Sequence, residues 1–499
     1  MAENGEPWPS NGLKIAVMNL DPQHCYAALQ ARDTRFDGLF FVAVSTTRIY
    51  CRPICTVRLP RADRCTFYPN AATAEQAGYR PCLKCRPELA PGAALVDSVQ
   101  RVARQAAAAI AQGALTDANL ETLASGFGLS SRQLRRAVER EYGVSPIALA
   151  QTYRLLLAKQ LLTDTALNMT EIAFASGFGS LRRFNHSFLT QYRLNPTALR
   201  KQQAQPLPDA AITLRLAYRP PLAWNDLIGF LAARGSPRVE QREGAIYRRT
   251  LRLGTASGWI SAQPVPGKHQ LQVQIAPSLL PGLNKLLPAL RRLFDLDANP
   301  SVVEASLSRD AQLAVHVARA SGLRVPGALD GFELALRAVL GQQISVKAAT
   351  TLFGRCVERF GSPIETPFSG LDRLCPTAAA IAEAELQELI DLGLTGKRAE
   401  SLRGLARTIA EQRIRLDSDA DPDQVMQALQ ALPGIGPWTA QYIAMRALSA
   451  PDAFPHADLA LMRAMGVERG PQLLRLAEAW RPWRAYAALH IWNSLNAGG

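Results

Sequence analysis

The chain has 499 residues, a length that predicts about three or four domains, each able to bury its own core. Its 56 Lys plus Arg against 42 Asp plus Glu leave a net charge of +14, which favours a polyanionic partner. No apolar run reaches the roughly 18 residues that a membrane span needs, and the start of the chain is neither basic nor apolar enough for a signal peptide.

These features suit a monomeric, cytoplasmic, nucleoid-associated protein, in which clustered cysteines hold metal rather than pair. Residues 1–17, rich in Pro, Gly and Asn, form an expected disordered leader, and Met18 is an alternative start. A β run, Phe40-Phe41-Val42-Ala43-Val44, leads into Arg48-Ile49-Tyr50-Cys51-Arg52-Pro53-Ile54-Cys55. Cys82-Leu83-Lys84-Cys85 follows after a 26-residue gap. Two close pairs of soft ligands (Cys51, Cys55, Cys82 and Cys85) are the usual layout of a tetrahedral zinc site, so one Zn2+ is the expected cofactor. Spacing alone leaves that site either structural or reactive. Cys25 and Cys65 fall outside the pattern and read as ordinary thiols. Pro91-Gly92 ends the unit, which covers residues 18–91.

Residues 20–90 also resemble the N-terminal domain of the Ada family of adaptive-response methyltransferases. The likeness lies in Thr46-Thr47-Arg48-Ile49-Tyr50-Cys51-Arg52-Pro53, Phe67-Tyr68-Pro69-Asn70-Ala71 and Gly78-Tyr79-Arg80-Pro81-Cys82. It implies that Cys51 takes a methyl group from a DNA methylphosphotriester and keeps it. A metal-held thiolate is a suitable nucleophile. Methylating one of four thiolates removes one negative charge beside Arg48, Arg52, Arg58 and Arg61, so tighter DNA binding after methylation is expected.

Residues 92–201 are helical in pattern and contain an internal echo. Ala124-Ser125-Gly126-Phe127-Gly128 recurs as Ala175-Ser176-Gly177-Phe178-Gly179, and Tyr142-Gly143-Val144-Ser145-Pro146 answers to Tyr192-Arg193-Leu194-Asn195-Pro196. Each copy reads as a short helix, a glycine turn and a second, arginine-rich helix, which describes a helix-turn-helix. The candidate recognition residues are Ser130, Ser131, Arg132 and Arg135 in the first copy, and Ser180, Arg182 and Arg183 in the second. The pair resembles the AraC family, so promoter DNA and RNA polymerase are expected partners.

Residues 202–210, with Pro206 and Pro208, are the expected linker. Residues 211–294 read as an α+β layer, with alternating strands at Ile212–Leu216, Tyr247–Leu253 and Leu271–Ile275 and a helix around Trp224–Arg234. From residue 295 to the end only helices are legible. There, Leu432-Pro433-Gly434-Ile435-Gly436-Pro437-Trp438-Thr439-Ala440 predicts a tight turn opening a helix whose free N–H groups suit a DNA phosphate. This is the helix-hairpin-helix pattern, with Gly434 and Gly436 at the phosphate. Ala440, Ile443, Ala444, Ala447 and Leu448 should face a core, with Trp438 and Tyr442 on another face. Asp458 stands before the next apolar run, as an N-cap that can also point into a cleft.

From about Ile212 onward the chain resembles the AlkA family of 3-methyladenine DNA glycosylases. The matching segments are Leu227-Ile228-Gly229-Phe230-Leu231-Ala232-Ala233-Arg234, Arg337-Ala338-Val339-Leu340-Gly341-Gln342-Gln343-Ile344-Ser345, the hairpin, and Trp483 to Trp492. The likeness implies that Asp458 is the catalytic aspartate and that Phe230, Trp438, Tyr442 and Trp492 line the base pocket. It also implies that Gln343 fills the gap left by a flipped base, although the family carries an apolar residue there. A base methylated at a ring nitrogen is a cation, which electron-rich ring faces can hold. Trp438 stands where strand-cleaving relatives carry a lysine, so base removal without strand cleavage is expected. The iron–sulfur loop of some relatives is missing after Trp492, and no Pro-Cys-His-Arg tetrapeptide occurs, so O6-alkylguanine repair is not assigned. The predicted architecture is multidomain: a small zinc-bound α+β domain, an all-α double helix-turn-helix, an α+β domain and an all-α helix-hairpin-helix glycosylase core. Two rivals stand beside the double function: a regulator with an inactive glycosylase half, and an enzyme whose zinc is only structural.

Overall fold

The computed structural model describes residues 20–91, 101–117, 119–201 and 211–496; the expected leader (1–17) and linker (202–210) lie outside them. The apolar run at Phe40 becomes β1 (Phe41–Val44), which pairs antiparallel with β2 (Ile49–Cys51) and β3 (Cys65–Tyr68). β4 (Arg80–Pro81) joins β2 in parallel, giving the order β3-β1-β2-β4. Cys51 therefore ends a central strand, and Cys82 follows its neighbour directly. The helix Ala71–Gln76, capped by Asn70 through the Thr73 amide at 2.9 Å, packs on this sheet.

Both copies of the echo are helix-turn-helix units. Leu120–Ser125 precedes Ser131–Tyr142, Met169–Ala175 precedes Leu181–Tyr192, and the 19-residue helix Pro146–Asp164 joins them. The copies turn differently. The left-handed residue is the second glycine, Gly128 (φ 66°), in the first copy and the first glycine, Gly177 (φ 84°), in the second. In the second copy Phe184, Phe188 and Tyr192 recur every four residues on one buried face. They form edge-to-face pairs at 5.6 and 4.9 Å.

The two copies bury their apolar faces in different cores. Leu134 and Val138 of the first pack with Leu149, Ile110 and Ala72 of the zinc domain. Phe184, Phe188 and Tyr192 of the second share one core with the following sheet. That sheet, antiparallel throughout, has the order β5-β9-β8-β7-β6: β5 (Ile212–Ala217), β6 (Glu240–Glu243), β7 (Ile246–Leu253), β8 (Ala256–Pro264) and β9 (Gln270–Ile275). β8 escapes the sequence pattern because two of its inward residues, Gly258 and Ala262, are small. A Cβ on Gly258 would lie 2.7 Å from Leu279.

The remaining helices enclose a second large core. Gly331–Leu340, Gly396–Ala410, Pro437–Arg446 and Arg484–Asn496 are its main walls. Ala440, Ile443, Ala444, Ala447 and Leu448 all face it, as their spacing predicts. No described helix is long and apolar enough to cross a membrane.

Buried polar ties join these units. The fully buried Arg219 donates from Nε to the Asp37 carbonyl at 2.9 Å, linking the strand β5 segment to the zinc domain. Lys159 and Glu88 form a buried pair at 2.5 Å. Glu75, on the zinc-domain helix, accepts from Tyr50 Oη (2.9 Å), Thr152 Oγ1 (2.8 Å) and Tyr192 Oη (3.0 Å). One carboxylate thus connects the residue before Cys51, the long joining helix and the end of the second recognition helix.

Candidate functional sites

The ligand atoms of Cys51, Cys55, Cys82 and Cys85 all lie within 4.8 Å of one another. Four converging sulfurs, largely withdrawn from water, are the donor set a tetrahedral Zn2+ takes, and the residues fit the ion. Backbone amides mark the sulfurs as thiolate-like acceptors. Arg52 N–H donates to Cys85 Sγ at 3.3 Å, Lys84 N–H donates to Cys82 Sγ at 3.3 Å, and the Val57 amide donates to Cys55. Among the described residues Cys51 receives no such donor.

One expected DNA contact fails here. Arg52 is only 4% exposed. Its guanidinium clamps both Asp37 carboxylate oxygens and donates to the Cys85 carbonyl at 3.2 Å. A buried cation must be paired, and Arg52 meets that need inside the domain. It is a brace for the zinc loops, not a phosphate contact. Arg48 and Arg58 are exposed, and Arg48 lies over the Tyr79 ring at 5.5 Å. Arg132 and Arg135 sit on the exposed face of the first second-helix, Arg182 and Arg183 on that of the second. Ser130 and Ser180 act as N-caps, accepting from the Gln133 and Arg183 amides at 3.3 and 3.2 Å. Their side chains start the helices that carry the arginines.

In the C-terminal half, Gly434 takes φ 80°, and a Cβ there would lie 2.0 Å from Ser401 Oγ. Gly436 N-caps the helix Pro437–Arg446, is exposed, and has open space around its missing side chain. The backbone amides at this corner are open to a phosphate. Gln343 is exposed with φ 58°, at the tip of a loop that neighbouring Gln342 fastens to the hairpin. Gln342 Nε2 donates to the Gly434 carbonyl at 2.9 Å and to Thr439 Oγ1 at 3.0 Å. Sequence reading missed this brace. Its signal was a polar residue two positions past Leu340, the apolar end of a helix.

Asp458 caps the helix Leu459–Ala464, accepting the Leu461 amide on Oδ1 at 2.9 Å. Trp438 Nε1 donates to Oδ2 at 2.8 Å, and Trp492 Nε1 donates to Oδ1 at 3.2 Å. Three donors from three segments hold the carboxylate in one orientation, and hydrogen bonds to an ionised acceptor are the strong kind. Capping and orientation into the aromatic cluster are therefore one arrangement.

The rings themselves differ from the expected cation-holding slot. Trp438 and Tyr442 stack directly on each other, with centroids 5.2 Å apart and planes 6° from parallel, and Tyr442 meets Trp492 edge-on at 6.3 Å. A base between two rings needs roughly 7 Å, twice the van der Waals contact distance, so none fits between Trp438 and Tyr442. Phe230 is already engaged by cations: the Arg234 guanidinium carbon lies 3.7 Å from its ring centroid and that of Arg446 5.1 Å. Arg446 also donates to Tyr442 Oη at 2.8 Å. Burial raises the Tyr442 pKa, but the nearby Arg446 and Arg234 guanidiniums outweigh it and hold the phenol below its ordinary value. Neither arginine was singled out from sequence. The legible clue was spacing, since each stands four residues after the ring it meets.

Residues 24–88 match the metal binding domain of Ada, and residues 123–202 a helix-turn-helix domain. Residues 213–330 match the AlkA N-terminal domain, and residues 336–470 the HhH-GPD superfamily of base excision DNA repair proteins. The chain is 38% identical to a probable bifunctional transcriptional activator/DNA repair enzyme AlkA of Mycobacterium tuberculosis, over 96% of this chain and 97% of that one. It is 38% identical to DNA-3-methyladenine glycosylase 2 of Escherichia coli, covering 56% of this chain and 95% of that protein. To the bifunctional transcriptional activator/DNA repair enzyme Ada of Escherichia coli it is 36% identical over 28% of this chain and 38% of that protein. The four cysteines are the zinc site of an Ada-type domain, double-stranded DNA is the partner, and the chain belongs to the family of bifunctional transcriptional activator/DNA repair enzymes that join this domain and a helix-turn-helix to an AlkA-type glycosylase.

Proposed function

We propose that this chain repairs and senses DNA alkylation. Its C-terminal half hydrolyses the N-glycosidic bond of alkylated bases of the 3-methyladenine and 7-methylguanine type. Its N-terminal half moves a methyl group irreversibly from a DNA methylphosphotriester to Cys51 and thereby activates transcription. The observation that carries the first part is the Asp458 carboxylate, held by two indole N–H groups and one amide beside an aromatic cluster.

With the nucleotide flipped out, Trp438 offers its outer face for stacking. As the C1′–N bond breaks, its electron pair leaves with the base and positive charge develops on the sugar. The fixed carboxylate of Asp458 stabilises that charge and aligns the water that adds to C1′. A ring-methylated base is already a good leaving group, so no strong general acid is required. No amine stands at Trp438 to form a Schiff base, and the strand stays intact.

In the N-terminal half, zinc keeps its cysteine sulfurs deprotonated at neutral pH. The Cys51 sulfur attacks the methyl carbon, the carbon–oxygen bond breaks with its electrons left on the phosphate, and a phosphodiester and an S-methylcysteine result. The neutral triester does not repel the thiolate. The loss of one negative charge reduces repulsion from DNA beside Arg48 and Arg58, which supports tighter binding by the helix-turn-helix pair and recruitment of RNA polymerase by a monomer. Equal promoter affinity of methylated and unmethylated protein at matched salt would rule out that link.

The decisive assay incubates duplex DNA carrying 3-methyladenine with wild type and with Asp458→Asn. Base release by the first alone is expected. Release by neither would favour a regulator with an inactive glycosylase half, a reading that the intact carboxylate and its donors oppose.

A further inference from the structure

Beside the proposed base pocket lie two guanidinium groups for which the hydrolysis has no stated use. Arg446 is buried and locked in place: it donates to Tyr442 Oη (2.8 Å) and to the Pro326 and Gly327 carbonyls (2.8 and 3.2 Å). Arg234 is held differently. It is only partly buried, lies flat enough on Phe230 to bring its central carbon within 3.7 Å of the ring centroid, and donates to the Phe230 carbonyl at 3.3 Å. Burial pulls the Arg234 guanidinium below its ordinary pKa, the Tyr442 hydroxyl opposes that shift, and the Asp458 carboxylate is close enough to oppose it too. Arg234 is thus a cation within electrostatic reach of both the ring stack and the carboxylate.

A positive charge in that position distinguishes leaving groups by charge. A base methylated at a ring nitrogen enters as a cation and departs neutral, so a neighbouring cation repels it on entry and that penalty is only relieved, never turned to attraction, as the bond breaks. A neutral base departs with the bonding pair and accumulates negative charge, which a neighbouring cation stabilises where charge develops. In a partly buried site two unit charges several ångströms apart interact strongly enough to change a rate by about tenfold or more.

We infer that Arg234 is a specificity-determining residue of the glycosylase pocket: it shifts preference away from cationic bases and toward neutral bases that leave as anions. The inference rests on the glycosylase reading and adds how the pocket weighs the charge of a base. The test uses two duplexes of one sequence, each with a single 7-methylguanine (cationic) or a single hypoxanthine (neutral), and compares kcat/KM for wild type, Arg234→Gln and Arg234→Lys.

With Arg234→Gln the hypoxanthine-to-7-methylguanine ratio should fall by about tenfold, with a lower KM for 7-methylguanine, whereas Arg234→Lys should hold the ratio within about twofold. An unmoved ratio in an active Gln variant overturns the assignment alone. Equal losses on both bases in both variants mean a packing role and also overturn it. Release of neither base by wild type would sink the glycosylase reading, and the assignment with it.

Discussion

The zinc cluster and the Asp458 pocket treat their reactive group in opposite ways. At the metal site, amides of Arg52, Lys84 and Val57 donate to three sulfurs, and among the described residues none donates to Cys51. In the pocket, the carboxylate proposed to act, Asp458, receives three donors. The contrast follows from the chemistry each site is assigned. A nucleophile that must share its electrons is hindered by hydrogen bonds, whereas a fixed charge that stabilises a transition state gains from being held still. The first site reacts once; the second must recover its geometry after every turnover.

That contrast breaks most visibly at Cys51. Mass spectrometry after exposure to methylphosphotriester DNA should find a single added methyl, on Cys51, and none in Cys51→Ser. A methyl on Cys85, the one cysteine of the four that is not fully buried, would mean that access and not the missing amide selects the acceptor. Asp458→Asn should lower the base-release rate by on the order of 10²- to 10³-fold, the scale of losing one preorganised electrostatic group, while still accepting a methyl at Cys51. If both activities fall together, the two sites are coupled and the contrast between them fails.

Smaller changes probe how the carboxylate is held. Trp438→Phe keeps a ring but removes the 2.8 Å donor, and a roughly tenfold or greater loss of kcat is expected. Trp492→Phe removes the longer 3.2 Å donor and should cost less. The reverse order would show that Oδ1, not Oδ2, is the oxygen that matters.

The last expected effect is on stability and not on rate, at the tie between the zinc domain and the second helix-turn-helix. Burial raises the Glu75 carboxyl from 4.5 to about 7, against the opposing hydroxyls of Thr152, Tyr50 and Tyr192. Between those values the folded chain holds a proton that the unfolded chain has lost. The contribution is therefore fully present below 4.5 and declines as pH rises to 7, by about 3 kcal/mol in total. Denaturant melts of wild type across that window should show the decline, and Glu75→Gln, which keeps an acceptor without the charge, should flatten it.

Local signals carried much of this molecule. Cysteine spacing located the zinc ligands because a tetrahedral site needs pairs close in sequence, and the echo located both helix-turn-helix units because each is a local structure. Apolar periodicity after Pro437 identified the buried face of the hairpin helix. Asp458 could be named from its place before an apolar run together with a family likeness, but its two indole donors could not, since Trp438 and Trp492 lie on different helices. Arg52 looked like a phosphate contact because charge is visible in sequence and burial is not.

What the chain by itself determined was every feature set by neighbours a few residues apart: ligand pairs, caps, glycine turns and helix faces. What only the tertiary structure decided was where charge and rings end up. Arg52 is turned inward onto Asp37, Arg446 meets Phe230, Trp438 and Trp492 converge on Asp458, and the second helix-turn-helix shares its core with the sheet that follows. The physical reason is range. Hydrogen-bonded turns and periodic faces are local, but burying a charge or closing a pocket depends on segments that meet only when the chain has folded.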